Sequence, residues 1–456
     1  MEINMTEKAL ELLKAKRFVD LKNLFVVLNG PDVALILEEM PEESLPVLFR
    51  ILPKELASEA FVEMDFDSQE VLIRAFTDKE LKEVLDELFV DDAVDLIEEM
   101  PAGVVKRILR NTDPETRRVI NQILNYPEDS AGSIMTTEYV RLQKEMTVDQ
   151  AFNRIRQTGA DKETIYTCYV TDKERKLIGL VTVKDLLLAE DDDTKLEDMM
   201  LTNIISVTTQ TDQEEVAHMF SKYNFLALPV VDGENRMVGI VTFDDAMDVM
   251  EDEATEDIEL MGAMTPSEKP YPKSTPVDLF KNRFPWLTLL MVSSTFTGLI
   301  ITSFEDALAA QVALTAFIPM LMGTGGNSGS QSSVTVIRSL SLGELKFKDI
   351  GTVLWKELRT AVMCGVALAA VCFVKIWLID HLLFQNPDIT VMVDLVVCLA
   401  LALTVVIAKA VGCVLPMVAK ALGADPAVMA SPFITTIVDA VSLLVYFMFA
   451  KALLGV

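Results

Sequence analysis

The sequence ITTIVDAVSLLVYFMFAKALLGV, from Ile434 to Val456, decides the fold of the C-terminal part of the chain. It is apolar and long enough for a membrane-spanning helix, which needs ~20 residues. Asp439 lies inside it, although burying an unpaired carboxylate in lipid is costly. Because acids within membrane spans commonly serve function, we interpret Asp439 as part of a cation path. The alternative is a carboxylate paired inside a helix bundle for packing alone.

Polar residues precede Asp439 on the same helical face. Ser431 and Thr435 precede it at intervals of four residues, so a helix would carry all three side chains on one side. Asp425 and Pro426 come just before, where an aspartate can cap a helix and a proline suits its first turn. Contact with a cation is an equal alternative for Asp425. We therefore predict that Ser431, Thr435 and Asp439 line the path.

Charge divides the chain into two parts. The 456 residues carry a formal net charge of −29 at pH 7. From Arg283 onward the basic and acidic residues balance at 10 each, so the whole acidic excess lies before that residue. A strongly acidic surface repels nucleic acid and concentrates cations. The pattern therefore excludes nucleic-acid binding and predicts an acidic soluble part.

Residue types that many enzymes use are scarce. Of five cysteines, four lie in apolar runs and Cys168 stands alone in a strand pattern, which predicts neither a disulfide framework nor a zinc site. The sequence contains no phosphate-binding Walker loop and no evident Ser-His-Asp arrangement, so we do not expect an enzyme. Residues 1–20 are charged and amphipathic without an apolar core, which indicates no signal or transit peptide and predicts a cytosolic N-terminus.

The N-terminal residues read as short amphipathic helices interrupted by prolines. The stretch ILEEMP at Ile36–Pro41 returns as LIEEMP at Leu96–Pro101, which indicates stacked helical repeats. We predict a helical superhelix, a fold that offers interaction surfaces rather than active sites.

Strand and helix patterns then alternate twice. GLVTVKD at Gly179–Asp185 recurs as GIVTFDD at Gly239–Asp245. The paired α+β units resemble the tandem cystathionine β-synthase-type (CBS) module. Such modules often bind adenosyl compounds, so the resemblance implies an adenosine nucleotide such as ATP, with Lys184 and Asp185 as its ribose and phosphate contacts.

An acidic run without lysine or arginine follows Phe243. Like charges at helical spacing destabilise an isolated helix. Either water and salt screen them, as is common for charge runs, or a divalent cation bridges them to another surface. The acids that fall on two neighbouring helical faces are Asp245, Asp248 and Asp252, and Glu253, Glu256 and Asp257.

Five apolar segments follow, each long enough to span a membrane. Basic residues cluster around the second connection and at Lys420, whereas the first and third connections contain acids and no Lys or Arg. The positive-inside rule therefore predicts a multi-pass protein of the cell membrane, surrounded by lipid, with its N-terminus in the cytosol and its C-terminus outside. The segments are residues 284–302, 310–337, 350–379, 391–418 and 427–454.

The second apolar segment contains a polar, glycine-rich run, PMLMGTGGNSGSQSS at Pro319–Ser333. A backbone that leaves the helix at membrane depth must be buried in protein or line an aqueous cavity. We expect a broken backbone here, with Asn327 and Gln331 lining the path and offering neutral dipoles to a hydrated ion. The alternative is a small-residue seam that packs helices closely, and both can hold.

Together, the helical N-domain, the CBS pair, the acidic helix, the five spans and the GNSGSQ run resemble the MgtE family of magnesium channels. The resemblance extends over essentially the whole chain. It implies a homodimer that conducts Mg2+ and closes when its cytosolic domains bind Mg2+, with Asp439 as the pore acid that holds the hydrated ion. By the same resemblance the further metal-binding acids are Asp425, Asp91, Asp95, Glu59, Asp212, Glu214, Asp245, Asp248, Glu253, Glu256 and Asp257.

The predicted fold is a multidomain membrane protein with a helical-superhelix N-domain, α+β tandem CBS domains and an all-α transmembrane domain of five helices. Two positions depart from the family pattern: Asn224 stands where relatives can carry an aspartate, and Ser431 where they can carry an amide. The predicted bounds are 1–130 for the N-domain, 131–195 and 196–250 for the CBS units, 251–282 for the acidic connecting helix and 283–456 for the transmembrane domain.

Other functions remain open at this point. One is a CBS-regulated secondary transporter of another divalent cation such as Mn2+ or Co2+. An anion channel is disfavoured, because anion sites use basic residues or helix N-termini and the expected path carries Asp439. A nucleotide-sensing module that the membrane part merely anchors is a third reading, although five spans exceed what an anchor needs.

Overall fold

Short helices form the first part of the chain, as the proline-interrupted pattern predicts. The residues that the structure, a computed structural model, describes are 2–267, 269, 271–385, 387–429 and 431–455. The chain divides into two units, Met1–Met250 and Glu251–Val456. The helices of the N-terminal part are α1 (Glu2–Lys14), α2 (Phe18–Phe25), α3 (Gly30–Glu38), α4 (Leu45–Phe49), α5 (Lys54–Val62), α6 (Phe66–Ala75), α7 (Asp78–Leu85), α8 (Val90–Glu99), α9 (Ala102–Asn111) and α10 (Pro114–Ile123).

Prolines and polar caps set the starts of these helices. Pro53 and Pro101 stand just before α5 and α9, where their missing N–H groups cost nothing. Asp65 caps α6 by accepting a hydrogen bond of 2.8 Å from the backbone N–H of Ser68. The apolar faces of the helices share one core, in which Leu37, Phe61 and other side chains are fully buried. The predicted helical N-domain is confirmed.

Two three-stranded sheets with the same topology form the rest of the first unit. In each sheet the first strand pairs parallel to the second and the second antiparallel to the third, and Val170 pairs with Gly179 as Val230 pairs with Gly239. This repeat confirms the paired α+β units. Their elements are β1 (Tyr139–Gln143), α11 (Val148–Thr158), β2 (Thr164–Thr171), β3 (Leu177–Thr182), α12 (Val183–Leu187), α13 (Leu196–Met199), β4 (Val207–Thr208), α14 (Gln213–Tyr223), β5 (Ala227–Val231) and β6 (Met237–Thr242).

Long apolar helices dominate the second unit, which begins within the acidic helix α15. Among the described residues, four helical segments are long and apolar enough to cross a membrane by length and composition: Pro276–Ser303, Phe347–Leu383, Val391–Ala421 and Ala427–Leu454. The helices are α15 (Phe243–Met261), α16 (Pro276–Ser303), α17 (Glu305–Ala310), α18 (Ile318–Ser341), α19 (Ile350–Lys375), α20 (Val391–Ala421) and α21 (Ser431–Leu454), and a π-helical segment, Ile376–Leu383, follows α19.

The expectation of a broken backbone at Pro319–Ser333 is wrong. α18 is a continuous helix that begins at Ile318, later than the predicted start of the second segment, and its polar composition keeps it out of the four apolar spans. Its glycines serve packing instead. We call Gly325, Gly326 and Gly329 the glycine face.

Neighbouring helices approach the glycine face so closely that side chains there would collide. A Cβ added to Gly325 would lie 2.8 Å from Thr404 Cγ2 on α20, and one added to Gly329 would lie 2.7 Å from Ile434 Cγ2 on α21. A Cβ on Gly412 of α20 would meet the carbonyl oxygen of Gly329. Because a helix satisfies its own backbone hydrogen bonds, close packing of an intact helix explains the glycines.

Candidate functional site

The crossing of α18 and α21 positions Asp439. A Cβ added to Gly326 would lie 2.6 Å from Thr435 Cγ2 and 3.9 Å from Asp439 Oδ1. The two helices can come this close because Gly326 has no side chain. Thr435 and Asp439, which the sequence places on one helical face, therefore both lie against the glycine face.

Asp439 has no basic partner within the described part of the chain, and its side chain is half-buried. An acid at membrane depth needs water, a cation or a proton to offset its charge. Thr435 Oγ1 donates a hydrogen bond of 3.0 Å to the carbonyl oxygen of Pro432. The side chain of Ser431 lies outside the described part of the structure, so its place on the path remains a prediction.

Two amides form an exposed polar row on α18. Asn327 and Gln331 are one helical turn apart, and both side chains are exposed in the single chain. Between them, Ser328 and Gly329 are buried on the opposite side of the helix. Amide groups facing lipid would be left without hydrogen bonds, so this row calls for water or for a second protein surface.

A second arrangement joins the acidic helix α15 to the start of the last span. Asp257 Oδ2 accepts a hydrogen bond of 2.9 Å from Ser341 Oγ, at the end of α18. Burial raises the pKa of Asp257, the Ser341 hydroxyl opposes that rise, and the Asp425 carboxylate adds to it. Asp425 Oδ1 accepts a hydrogen bond of 2.7 Å from the backbone N–H of Ala427. Asp425 thus caps the turn before α21 and also acts on Asp257.

Two basic side chains surround this pair of acids. The charges of Arg338 and Lys420 lower the pKa of Asp257, but less than burial raises it. Lys420 Nζ donates a hydrogen bond of 2.9 Å to the carbonyl oxygen of Leu340. The Asp257–Asp425 arrangement is therefore a partly compensated anionic site, which an additional cation would stabilise.

The first unit contains an acid cluster around the buried Asp91, which we call the buried acid cluster and which consists of Asp91, Asp92, Asp95, Glu163 and Asp245. Asp92, Glu163 and Asp245 are half-buried, and Asp95 is exposed. Burial raises the pKa of Asp91 well above its ordinary value and that of Asp245 to about 6, and repulsion from neighbouring carboxylates adds to each shift. Asp91 is 8% exposed, and its Oδ1 has no hydrogen-bond partner among the described residues. Such oxygens favour a proton or a cation.

Sequence reasoning found Asp91, Asp95 and Asp245 in this cluster but missed two members. Burial raises the pKa of Asp92 to about 6 and that of Glu163 to about 8. Asp92 was visible as the counterpart of Asp32 in the helical repeat. Glu163 had no signal, because it stands just before β2, far from the other acids in sequence.

Glu63, the residue that ends α5, is a further acid that interacts with α15 and that the sequence did not indicate. Glu59 and Glu63, one helical turn apart, are both exposed. Burial raises the pKa of Glu63, and the carboxylates of Asp248 and Asp244 raise it further.

Other predicted residues have local structural roles. Asp212 caps α14, because its Oδ1 accepts a hydrogen bond of 2.9 Å from the backbone N–H of Glu214. Glu214 Oε1 lies 3.7 Å from His218 Nε2. Asn224 ends the same helix in the left-handed conformation, with φ of 55°. Asparagine tolerates this conformation well, which gives the departure at Asn224 a structural reason.

The remaining predicted residues lie on α12 and α15. Asp185 Oδ2 accepts hydrogen bonds of 2.6 Å from Thr182 Oγ1 and 3.1 Å from its backbone N–H, so this carboxylate is part of a capping box, and Lys184 is exposed. On α15, Glu256 is exposed and Glu253 is half-buried.

No group of three His, Cys, Asp or Glu side chains among the described residues is arranged to hold a bare metal ion. Mg2+ sheds its water reluctantly and is commonly bound through one or two carboxylates. The paired and clustered acids suit such a hydrated ion better than a closed protein cage.

Family models match three parts of the chain. The MgtE model, described as a divalent cation transporter, matches residues 318–449, the MgtE intracellular N domain matches 28–129, and the CBS domain matches 131–192 and 196–252. The magnesium transporter MgtE of Thermus thermophilus is 35% identical over 95% of this chain and 95% of its own length. The chain belongs to the MgtE family of divalent cation transporters. The Bacillus subtilis MgtE is 34% identical over 97% of this chain and 95% of its own length.

Two solved structures match about half of the chain. The cytosolic domain of the Mg2+ channel MgtE in complex with ATP matches with a TM-score of 0.51 and 35% identity, over 54% of this chain and 99% of its own. The soluble part of a magnesium transporter matches with a TM-score of 0.51 and 30% identity, over 56% of this chain and all of its own. Members of the MgtE family are transporters, which confirms both the resemblance and the prediction that the chain is not an enzyme.

Proposed function

We propose that the chain transports magnesium across the cell membrane, with Asp439 as the acid that meets the hydrated ion. The observation that carries this proposal is the place of Asp439, which lies against the glycine face of α18 and has no basic partner among the described residues. A hydrated Mg2+ ion interacts with a carboxylate and neutral dipoles through its own water, so it can leave the site quickly. The relatives that carry the name magnesium transporter support the choice of ion.

Magnesium uptake into proteoliposomes tests the role of Asp439. We expect Asp439→Asn to abolish uptake while the protein still assembles, because the amide removes the charge and keeps the shape. Glu305→Gln, which neutralises an exposed acid of the same unit, is the matched control and keeps native uptake. Undiminished uptake by Asp439→Asn contradicts the assignment. Competition with Mn2+ and Co2+ in the same assay tests the alternative of another divalent cargo.

We propose that cytosolic Mg2+ closes the path by binding the acids of the soluble part. Repelling carboxylates, such as those of the buried acid cluster and the Asp257–Asp425 pair, hold their elements together better once a divalent ion lies between them. The other sensor acids in this proposal are Glu59, Asp212, Glu214, Asp248, Glu253 and Glu256.

Neutralising Asp245, Asp248, Glu256 and Asp257 together tests this regulation. The variant is expected to keep transporting at cytosolic Mg2+ concentrations that close the native protein. Neutralising the exposed run Glu190–Asp193 removes the same number of charges elsewhere and serves as the control. Normal closure of the first variant contradicts the sensor assignment.

A homodimer is part of the proposal. The exposed row of Asn327 and Gln331 supports it, because a second copy or an aqueous path between two copies would give these amides partners. We place the N-terminus in the cytosol and the C-terminus outside, on the basic residues around the second connection. Cross-linking of Asn327→Cys between two chains tests the dimer, with Val371→Cys on the exposed face of α19 as the control.

We also propose that the CBS units bind ATP, and that the domain bounds follow the sequence: 1–130, 131–195, 196–250, 251–282 and 283–456. The ATP complex of a related cytosolic domain supports the nucleotide. Lys184 and Asp185 are the proposed contacts. Because Asp185 also closes the capping box of α12, Lys184→Ala is the cleaner test, and it should weaken ATP binding without lowering the unfolding temperature.

A further inference from the structure

Three sulfur atoms meet where α18, α19 and α20 pack together. We call Met320, Cys372 and Cys398 the sulfur cluster. The Cys372 thiol lies 3.9 Å from Met320 Sδ, and the Cys398 thiol interacts electrostatically with the Cys372 thiol. Cys372 is buried, whereas Met320 and Cys398 are half-buried. Each side chain comes from a different helix, so the cluster connects three helices at one point.

A buried carboxylate accompanies these sulfurs. Asp394 lies one helical turn before Cys398 on α20, is 3% exposed and interacts electrostatically with both thiols. Its Oδ2 lies 2.8 Å from Nε2 of His381, which the π-helical segment after α19 presents. Its Oδ1 is buried and has no hydrogen-bond partner among the described residues. A bound cation nearby would offset the free-energy cost of burying this oxygen without a hydrogen bond.

We propose that the sulfur cluster binds a soft monovalent cation of the Cu(I) or Ag(I) class, with Asp394 as an outer partner. Thiolate and thioether ligands select such ions, whereas Mg2+ prefers oxygen. Metal–sulfur bonds of about 2.3 Å place the sulfurs of a three-coordinate site about 4 Å apart. The separation of 3.9 Å between Cys372 and Met320 fits this arrangement without movement of either helix.

The proton balance of binding is simple. Each thiol that bonds to the ion as a thiolate loses its S–H proton to solvent, so binding releases protons and no electrons are transferred. A disulfide between Cys372 and Cys398 is the competing use of the pair. It would use neither Met320 nor the free oxygen of Asp394, and for this reason the arrangement favours a cation.

The site has a consequence for transport. A bound ion would tie α18, which carries the glycine face, to α19 and α20. Occupancy of the sulfur cluster is therefore expected to slow movement of the helix that packs against Asp439. Soft cations would act as inhibitors at a position separate from the Mg2+ path.

Silver binding to the full-length protein tests the proposal, because Ag(I) needs no reductant. Native mass spectrometry of the freshly reduced, desalted protein should show one Ag(I) per chain, and this binding should be lost in Cys372→Ser/Cys398→Ser. Cys364→Ser/Cys413→Ser removes two other cysteines of the spans and should keep it. Asp394→Asn should weaken binding by about 10–100-fold, as loss of an outer partner does.

A conservative pair of variants distinguishes a loss of silver binding from a loss of folding. Met320→Leu nearly conserves volume, so it should leave the unfolding temperature unchanged while weakening silver binding by about tenfold. Met322→Leu, on the same helix, should change neither. The proposal is overturned if the double serine variant binds silver like the native protein, or if Met320→Leu and Met322→Leu bind it equally. A mass two hydrogens low in protein purified without reductant, with Cys372 joined to Cys398, overturns it as well.

Discussion

Ser341 donates a hydrogen bond of 2.9 Å to Asp257 and so joins the end of α18 to the acidic helix α15. One partner belongs to the helix that carries the glycine face, and the other to a helix rich in carboxylates. A change in the charge of Asp257 therefore changes the hydrogen bond at the end of α18. This contact connects the proposed sensor to the proposed path.

Removing the Ser341 hydroxyl should alter the response to Mg2+. The hydroxyl opposes the rise in the pKa of Asp257 that burial causes, so Ser341→Ala should raise that pKa further. Protons then compete better with Mg2+, and we expect closure to need more Mg2+ at pH 6 than at pH 8. A hydrogen bond to a charged group contributes about 1.5–3 kcal/mol, which sets an upper bound on the shift.

Magnesium-dependent uptake at the two pH values measures this effect. Ser339→Ala, two residues earlier on the same helix, is the control and should behave as the native protein does. Equal Mg2+ dependence of Ser341→Ala and the native protein would rule out a role for this hydrogen bond.

The buried acid cluster predicts that the first unit loses stability as pH rises. The folded unit holds protons on Asp91 and Glu163 at pH values where the unfolded chain has released them, because their folded pKa values are raised. The stabilising contribution is fully present below about pH 4, the range of ordinary carboxyl pKa values. It is lost between there and about pH 8, the pKa of Glu163.

Thermal unfolding in a chelator at pH 6 and pH 8 tests this dependence. We expect a lower unfolding temperature at pH 8, by about 2–4 °C for each kcal/mol lost in a unit of this size. Mg2+ should restore it, and Glu163→Gln should flatten the pH dependence. An unfolding temperature that rises from pH 6 to pH 8 in the chelator contradicts the prediction.

Alanine substitutions at the glycines of α18 should differ in their effect on stability, because only some of these glycines lie on the glycine face. A Cβ on Gly325 would lie 2.8 Å from Thr404 Cγ2 and 2.9 Å from Ser442 Oγ, whereas one on Gly323 would meet no described atom within 4 Å. Overpacking costs about 1–3 kcal/mol, so Gly325→Ala should destabilise the detergent-solubilised protein and reduce transport. Gly323→Ala should be neutral or slightly stabilising, because alanine favours helix. Equal stabilities of the two variants would show that the helices do not pack in this way.

Substitution of Asn224 tests whether the end of α14 requires a left-handed backbone conformation. Its φ of 55° is left-handed, which alanine adopts at a cost of about 1–2 kcal/mol. Asn224→Ala should therefore lower the unfolding temperature of the first unit, and Asn224→Gly should not. If alanine and glycine are tolerated equally, the position does not require this conformation.

Patterns with a clear physical period predicted most of the fold. Proline breaks, the duplicated GLVTVKD and GIVTFDD strands and four of the five apolar segments are confirmed in the structure, because each depends on local sequence. Asp439 could be predicted because an acid is rare in an apolar run. The continuous helix at Pro319–Ser333 could not, because glycine suits both a broken backbone and close helix packing, and only the neighbouring helices decide between them.

The members of the acid cluster were harder to predict. Asp91, Asp95 and Asp245 are identified by family resemblance, whereas Glu163 joins them only through the tertiary fold. Glu63 was missed because its interaction with the acids of α15 arises only in the tertiary fold. Burial raises the pKa values of these carboxyls, and it depends on tertiary packing that the sequence pattern does not reveal.

Gly412 packs directly against the carbonyl oxygen of Gly329, and this contact limits which insertions and deletions α18 can accept during evolution. Inserting or deleting one residue in α18 before Gly329 would turn the rest of the helix by about 100° and point side chains at α20. Loops can lengthen freely, but the length of this helix is fixed. Changes in the number of residues should therefore be found at its ends and not between Gly325 and Ser333.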